Sequence, residues 1–238
     1  MTAEETRKRF VATGARLRSP SLLEQVDTSI KAAKDDAGAL GARFPEAKRS
    51  ELESLAARVR ELFSDQSVAK ADVPQAGAAS DEAFRAAKDL VGDCIAAASN
   101  AFEDEDPEVL EAFRAGNKIG QSVAKLDAKI AKLVPLATTH AAALAAWGEP
   151  DMAARLTAGQ TILRDGNAAQ EKALTDLPRK TADLYEAKGR IFGLIKKLNR
   201  AAGRAFKGQQ EKRRAYNLDI VYRPGGKKAT KADAPAPS

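Results

Sequence analysis

The second half of this chain repeats the apolar pattern of its first half when the sequence is shifted by 104 positions. In both halves the apolar residues recur at steps of three and four, which is the spacing along one face of an α-helix. The matching pairs are Leu22/Leu126, Val26/Ile130, Ile30/Val134, Ala33/Ala137, Ala37/Ala141, Leu40/Leu144, Leu90/Leu194, Val91/Ile195, Cys94/Leu198, Ala98/Ala202, Ala101/Ala205 and Phe102/Phe206. The shift therefore predicts a helical unit that occurs twice in tandem.

Chance is the competing explanation, because 104 residues is close to a whole number of turns at about 3.6 residues per turn. Helix-start signals are more specific than the apolar pattern. Pro45-Glu46 and Pro150-Asp151 place a proline followed by an acid at almost the same point of both halves, and this pair is typical of a first helical turn. Two tandem bundles and one pseudo-symmetric bundle both agree with the pattern.

Composition favours helices packed closely through small side chains. Alanine is the commonest of the 238 residues and aromatic residues make up only 5%. Alanine has the highest helix propensity and loses no side-chain entropy on folding. The only candidate strand is the short run from Asp219 to Tyr222. We therefore expect an all-α fold made by tandem duplication of a unit of three to four antiparallel helices.

Breaker residues divide the chain into four predicted segments. These are an N-terminal basic helix or arm at 1–19, repeat 1 at 20–116, repeat 2 at 117–223 and a disordered basic tail at 224–238. Pro74 lies in a predicted loop at 73–77, and Pro178 is predicted to break a helix. Pro135 is predicted to kink or split the helix at 117–147. Gly189 and Gly193, one turn apart, predict a close crossing of two helices.

Several protein classes are disfavoured by simple counts. A single cysteine excludes an intramolecular disulfide framework. The first ten residues are charged and lack the apolar core of a secretory signal. No run approaches the 18 apolar residues that a membrane-spanning helix needs. We therefore expect a cytoplasmic protein without a transmembrane segment.

Few side chains offer catalytic or metal-binding chemistry. His140, the only histidine, lies one turn from two leucines and predicts a packed helical side chain. Cys94 aligns with Leu198 and is predicted to be a core residue rather than a nucleophile. The acidic run 103–108 lacks the glycine and glutamate of an EF-hand loop, and instead predicts a solvated turn before a helix. We expect no catalytic residue, no cofactor, no metal ion and no small-molecule substrate.

Positive charge is concentrated in the last quarter of the chain. Between residues 179 and 231 there are 16 Lys and Arg against 4 Asp and Glu. The candidate partner-binding residues form a helical stripe and its extension: Lys196, Lys197, Arg200, Arg204, Lys207, Lys212, Arg213 and Arg214. Four interpretations remain open: binding to a protein or to a second copy, binding to nucleic acid, binding to an anionic membrane surface, and a merely solvated face.

The sequence predicts a non-enzymatic structural, scaffold or adaptor protein that acts through surface contacts, mainly at its basic C-terminal helix. The partner would be a protein or another copy of the chain. The alternative is a non-specific nucleic-acid-binding protein that uses the same basic face and tail, because Lys and Arg bind phosphates without regard to sequence.

Overall fold

The computed structural model describes residues 2–115 and 122–222, and every regular element in them is helical. The α-helices are α1 (Ala3–Ala15), α2 (Ser19–Asp35), α3 (Ala37–Leu40), α4 (Glu46–Phe102), α5 (Pro107–Arg114), α6 (Val123–Thr139), α7 (Ala141–Ala146), α8 (Met152–Ala205), α9 (Gln210–Arg214) and α10 (Asp219–Tyr222), with a short 3₁₀ helix at Gly41–Arg43. The all-α prediction is confirmed for this part of the chain. The run 219–222, considered above as a strand, is helical.

Local sequence signals explain where several helices begin. Thr2 Oγ1 accepts from the Glu5 backbone N–H at 3.2 Å, and Glu5 Oε2 accepts from the Thr2 backbone N–H at 2.7 Å. This reciprocal capping box satisfies two free amides at the start of α1. At α5 the Asp106 carboxylate accepts from the Val109 amide at 3.3 Å. The acidic run 103–108 therefore contains the N-cap of α5.

Two long helices, α4 with 57 residues and α8 with 54, pass through positions at which the sequence predicted breaks. The predicted loop at 73–77 and the predicted break at Pro178 are wrong. Both prolines are exposed, so water can satisfy the carbonyl that each leaves without an amide donor. Pro135 likewise lies within α6, and the helix break comes later, at His140.

The chain forms two compact units that do not follow the predicted boundary at residues 116 and 117. Of the described residues, unit 1 comprises 2–67 and 179–222, and unit 2 comprises 68–115 and 122–178. The physical reason is the length of α4 and α8, because each long helix contributes its first part to one unit and its last part to the other. Each unit has its own apolar core.

Within each unit the segments of α4 and α8 run antiparallel. In unit 1, Gln66 Nε2 donates to Thr181 Oγ1 at 2.9 Å, whereas Glu51 lines a cleft with residues near 197. In unit 2, Gly77 faces Gln170, and Gly159 faces Leu90. In both units, later residues of α4 therefore meet earlier residues of α8.

Positions 104 residues apart have similar surroundings. Helix α2 starts at 19 and α6 at 123, and both are 17 residues long. The pairs in which both members are buried include Leu22/Leu126, Val26/Ile130, Ala33/Ala137, Leu40/Leu144, Leu52/Leu156, Val59/Leu163, Val91/Ile195, Cys94/Leu198, Ala98/Ala202 and Phe102/Phe206. In each pair one residue belongs to the core of unit 1 and the other to the core of unit 2.

Some sequence predictions concern residues that the structure does not describe. The basic tail at 224–238 lies outside the described residues, as do Arg223 and the first residues of the predicted helix at 117–147. The predicted N-terminal basic helix corresponds to α1. Trp147, Ile162 and Tyr222 are large apolar side chains that remain more than half exposed.

Candidate binding surface

Helix α1 crosses the last part of α8 at backbone contact. A Cβ atom built on Gly14 would lie 1.8 Å from the Tyr185 carbonyl oxygen, and one built on Gly189 would lie 2.1 Å from the Phe10 carbonyl oxygen. Only glycine at both positions allows this approach. The predicted close crossing is therefore confirmed at Gly189. At Gly193 a Cβ would make ordinary van der Waals contact, 3.9 Å from the ring of Phe10.

Electrostatic contacts also hold α1 on α8. The Arg7 guanidinium donates to Glu186 at 2.8 Å and to Asp183 at 3.0 Å. Arg190 donates to the other oxygen of Glu186 at 2.7 Å. Partial burial by itself would raise the pKa of the Glu186 carboxyl, but the hydrogen bonds and charges of Arg190 and Arg7 together outweigh it and lower the pKa. Glu186 therefore remains ionised and links the two helices.

All eight predicted partner-binding residues are exposed in unit 1. We call this set the basic surface: Lys196, Lys197, Arg200, Arg204, Lys207, Lys212, Arg213 and Arg214. On α8 its members alternate with Leu198, Ala201 and Ala202, which are buried in the core of unit 1. The helix thus presents its charges outward while its apolar face anchors it.

Most charges of the basic surface are not neutralised. Among the described residues, only Lys212 forms an ion pair, with Asp36 at 3.7 Å. Its ammonium group also lies 5.3 Å from the centre of the Phe206 ring, and that of Lys196 lies 5.4 Å from the centre of the Phe192 ring. Such contacts restrain the position of a cation without neutralising it. The surface is therefore available to an anionic partner.

The two units carry opposite net charge. Among the described residues, unit 1 has 24 Lys and Arg against 15 Asp and Glu, a net charge of +9. Unit 2 has 10 Lys and Arg against 17 Asp and Glu, a net charge of −7. The basic surface accounts for most of the positive excess of unit 1.

A cleft of about 510 Å³ opens beside the crossing of α1 and α8. Its charged lining consists of Arg9, Glu51, Arg190, Lys196, Lys197 and Arg200, and its apolar lining includes Phe10, Phe192 and Leu194. Sequence reasoning identified three of these cations on α8 but missed Arg9 and Arg190. In the sequence, Gly189 and Gly193 indicated that a second helix would lie close to this part of α8. They did not indicate which helix it would be.

The predicted packing role of His140 agrees with the structure. The imidazole lies edge-on to the Phe102 ring at 5.1 Å and at 6.0 Å from that of Phe113, all within unit 2. Among the described residues, no group of three or more His, Cys, Asp or Glu side chains is arranged to hold a metal ion.

Cys94 is buried in the core of unit 2, and burial raises the pKa of its thiol to about 11.

Lys129 is also buried in unit 2, and its ammonium donates to the carbonyl oxygens of Phe113 at 2.7 Å and Ala115 at 2.9 Å. Lys129 thereby satisfies carbonyls at the end of α5. Sequence reasoning missed this role, because a lysine in a helix pattern normally indicates an exposed face.

The thiol of Cys94 should be nearly inert in the folded protein. Its ordinary pKa is 9.0 and its folded pKa about 11, so at pH 8 the thiolate fraction should fall roughly 100-fold. We expect labelling by a water-soluble disulfide reagent at pH 8 to be slower than in guanidinium-unfolded protein by at least roughly that factor. Equal labelling rates in the two states would contradict the buried placement.

In the part of the chain that the structure describes, no helix combines the length and apolar character needed to cross a bilayer. Comparison of the chain with protein-family models, with curated proteins and with solved structures gives no match. The function must therefore be argued from the surface itself.

Proposed function

We propose that this protein is a non-enzymatic scaffold or adaptor whose basic surface binds an acidic protein partner. The observation that carries the proposal is a contrast between buried and exposed positions 104 residues apart. The buried positions keep their character in both units, whereas the exposed charges differ. Where an exposed position carries a charge in one unit and the equivalent position in the other unit does not, the fold does not require that charge. Such a charge is free to serve binding.

We further propose that the two halves descend from one duplicated unit. Several observations besides core burial support this. Pro74 and Pro178, 104 residues apart, both lie within a long helix. The rings of Phe102 and Phe113 stack at 6.1 Å and 17° in unit 2, and those of Phe206 and Tyr216 stack at 5.9 Å and 18° in unit 1. The residues that cap the C-terminal ends of α2 and α6 have nearly identical backbone angles, with φ −101° and ψ 20° in α2 and φ −107° and ψ 24° in α6.

Against this common framework, the charge of the long helices has diverged. The exposed residues of unit 2 at the positions of Lys197, Arg200, Arg204 and Lys207 are Asp93, Ala96, Asn100 and Glu103. Two cations are thus replaced by acids and two by neutral residues. Because both sets are exposed, three members of each on a long helix and the fourth in the turn that follows it, the fold tolerates either charge. The basic surface is therefore a property of unit 1 alone.

Reversing part of the basic surface tests the proposal. The variant Lys207→Glu/Arg213→Glu/Arg214→Glu should bind a fluorescent poly-glutamate peptide at least about tenfold more weakly than the unchanged protein, because exposed charge pairs each contribute up to about 1 kcal/mol. Anisotropy titration at fixed ionic strength measures the affinity. The matched control Lys31→Glu/Arg43→Glu/Lys70→Glu changes three other exposed cations and should retain binding.

Two outcomes would overturn this function. One is equal loss of binding in the control, which would indicate a dependence on total charge rather than on the basic surface. The other is failure to bind the acidic peptide together with tight binding to duplex DNA that weakens steeply with salt, which is the signature of phosphate contacts. That result would assign the surface to nucleic acid. Sedimentation across protein concentration shows whether the acidic partner is a second copy.

A further inference from the structure

The cleft beside the α1–α8 crossing differs from the rest of the basic surface because it is concave and because three helices, α1, α4 and α8, line it. Gly14 and Gly189 bring the backbones of α1 and α8 into contact, and this contact fixes the position of Phe10 and its neighbour Arg9. Cations from α1 and from α8 therefore face one open cleft of about 510 Å³. That volume lies within the range of about 300–1,000 Å³ found for small-molecule pockets, and it is too small for a folded partner.

Positive charge dominates the cleft. Five cations line it, and Glu51 is the one acid among its lining residues. Arg190 is neutralised by Glu186, but Arg9, Lys197 and Arg200 form no ion pair with any acid that the structure describes. Like charges facing a shared volume repel one another, and an anion that bridges them removes this repulsion.

Several of the cations are also held in place. The guanidinium carbons of Arg9 and Arg190 each lie 5.6 Å from the centre of the Phe10 ring. The Lys196 ammonium lies 5.4 Å from the centre of the Phe192 ring. Because these contacts limit side-chain freedom before a ligand arrives, less entropy is lost when one binds. The rings serve to hold cations, so phosphate groups rather than a stacked base are the natural ligand.

We propose that this cleft binds a small ligand carrying two or more adjacent phosphate groups. Guanidinium groups match phosphate oxygens in pairs and ammonium groups add point charges, and the cleft offers both from two directions. The corresponding positions of α4 in unit 2 carry Gly92, Asp93 and Ala96 in place of Lys196, Lys197 and Arg200, so we expect no such site there. The site goes beyond the proposed scaffold function, because Arg9 and Glu51 do not belong to the basic surface.

Calorimetric titration with inorganic triphosphate tests the site, with ATP as a second arm that shows whether a nucleoside adds affinity. At constant ionic strength, Arg9→Gln should weaken triphosphate binding about five- to tenfold. Glu51→Gln, which removes the one acid in the lining, should tighten it about two- to fivefold. Arg213→Gln, outside the cleft, should leave it unchanged.

Both informative side chains are exposed, and thermal denaturation of each variant confirms that it folds. Equal affinity of Arg9→Gln and the unchanged protein would overturn the proposal, as would absence of triphosphate binding. Weakening by Arg213→Gln to the same extent as by Arg9→Gln would overturn it too, because binding would then follow total charge. The scaffold function is tested separately, because the poly-glutamate assay changes residues that lie outside the cleft. Failure of one proposal is therefore distinguishable from failure of the other.

Discussion

Replacing Gly14 by alanine should lower the free energy of unfolding by about 3 kcal/mol. The added Cβ would lie 1.8 Å from the Tyr185 carbonyl oxygen, and the Gly189 amide nitrogen is only 3.0 Å away. Both neighbours are backbone atoms of α8, so no side chain can rotate out of the way. Helix α1 must therefore move off α8, and the contacts of Arg7 with Asp183 and Glu186 would be lost with it.

Denaturant unfolding measures the effect, and limited proteolysis within α1 shows whether the helix has left α8. Gly92→Ala is the matched control, because Gly92 lies inside α4 and its Cβ would meet no atom within 4 Å. That variant should gain up to about 1 kcal/mol from helix propensity. If Gly14→Ala unfolded at the same denaturant concentration as the unchanged protein, the close crossing would be wrong. Gly189→Ala should behave like Gly14→Ala and should also weaken triphosphate binding.

Replacing Tyr216 by phenylalanine should cost about 2 to 3 kcal/mol at neutral pH. The Tyr216 hydroxyl is buried in unit 1, where its single proton is shared between the Ala32 carbonyl oxygen at 2.8 Å and the Asp36 carboxylate at 2.9 Å. These bonds tie the segment after α8 to the end of α2. Without the hydroxyl, the partly buried carboxylate loses its nearest donor, and a hydrogen bond to a charged group is among the stronger kind.

The same substitution has a pH signature whose sign follows from the raised pKa of Tyr216. Burial first, and then the bond to Asp36, raise this pKa above its ordinary value of 10.0. The stabilisation by the hydroxyl is therefore complete below pH 10 and is lost as the pH rises beyond it. The cost of Tyr216→Phe should shrink by about 1.4 kcal/mol between pH 8 and pH 11. Cys94 is present in both proteins, so its titration cancels from the difference.

Unit 2 offers a control for this prediction, because under the proposed duplication Phe113 and His140 are the counterparts of Tyr216 and Asp36, at shifts of 103 and 104 residues. Chemical denaturation of Asp36→His, Tyr216→Phe and the double variant measures the coupling between the two positions. We expect the double variant to be about 1 kcal/mol more stable than the sum of the single effects, because an imidazole packs well against phenyl rings. Strict additivity would contradict an equivalence of the two sites.

The sequence predicted the helical class and the buried positions because strongly apolar residues follow one helix face. Its main error lies in the middle of α4 and α8. There the inward residues of α4 include Gln66, Ala69 and Ser80, which give no apolar periodicity. Against such a weak signal, Pro74 and Pro178 indicate a break. The helices nevertheless continue because each proline faces outward, while small inward side chains let the partner helix approach.

Of the cations that line the cleft, the sequence analysis selected only ones that lie on α8. Lys197 and Arg200 follow from spacing along α8. Arg9 is nearly 190 residues away in the sequence, and nothing in its neighbours indicates which helix it contacts. The same limit explains why the buried roles of Lys129 and Tyr216 were missed, because each bonds to a backbone carbonyl oxygen of another segment, 16 and 184 residues away in the sequence. Spacing along the sequence indicates which residues share one face of a helix, but it does not indicate which other helix packs against that face.

The division of the long helices also sets an order of events during synthesis. Residues 68–178 are contiguous and contain all of unit 2, so this unit can form as soon as they have left the ribosome. Residues 1–67 leave first, but they must wait for 111 more residues before the rest of unit 1 begins to appear. At about 5–20 residues per second, Leu22, Leu52 and their neighbours spend roughly 6 to 22 s without their partner helix. The N-terminal quarter is thus the part of the nascent chain whose apolar residues wait longest for their partners.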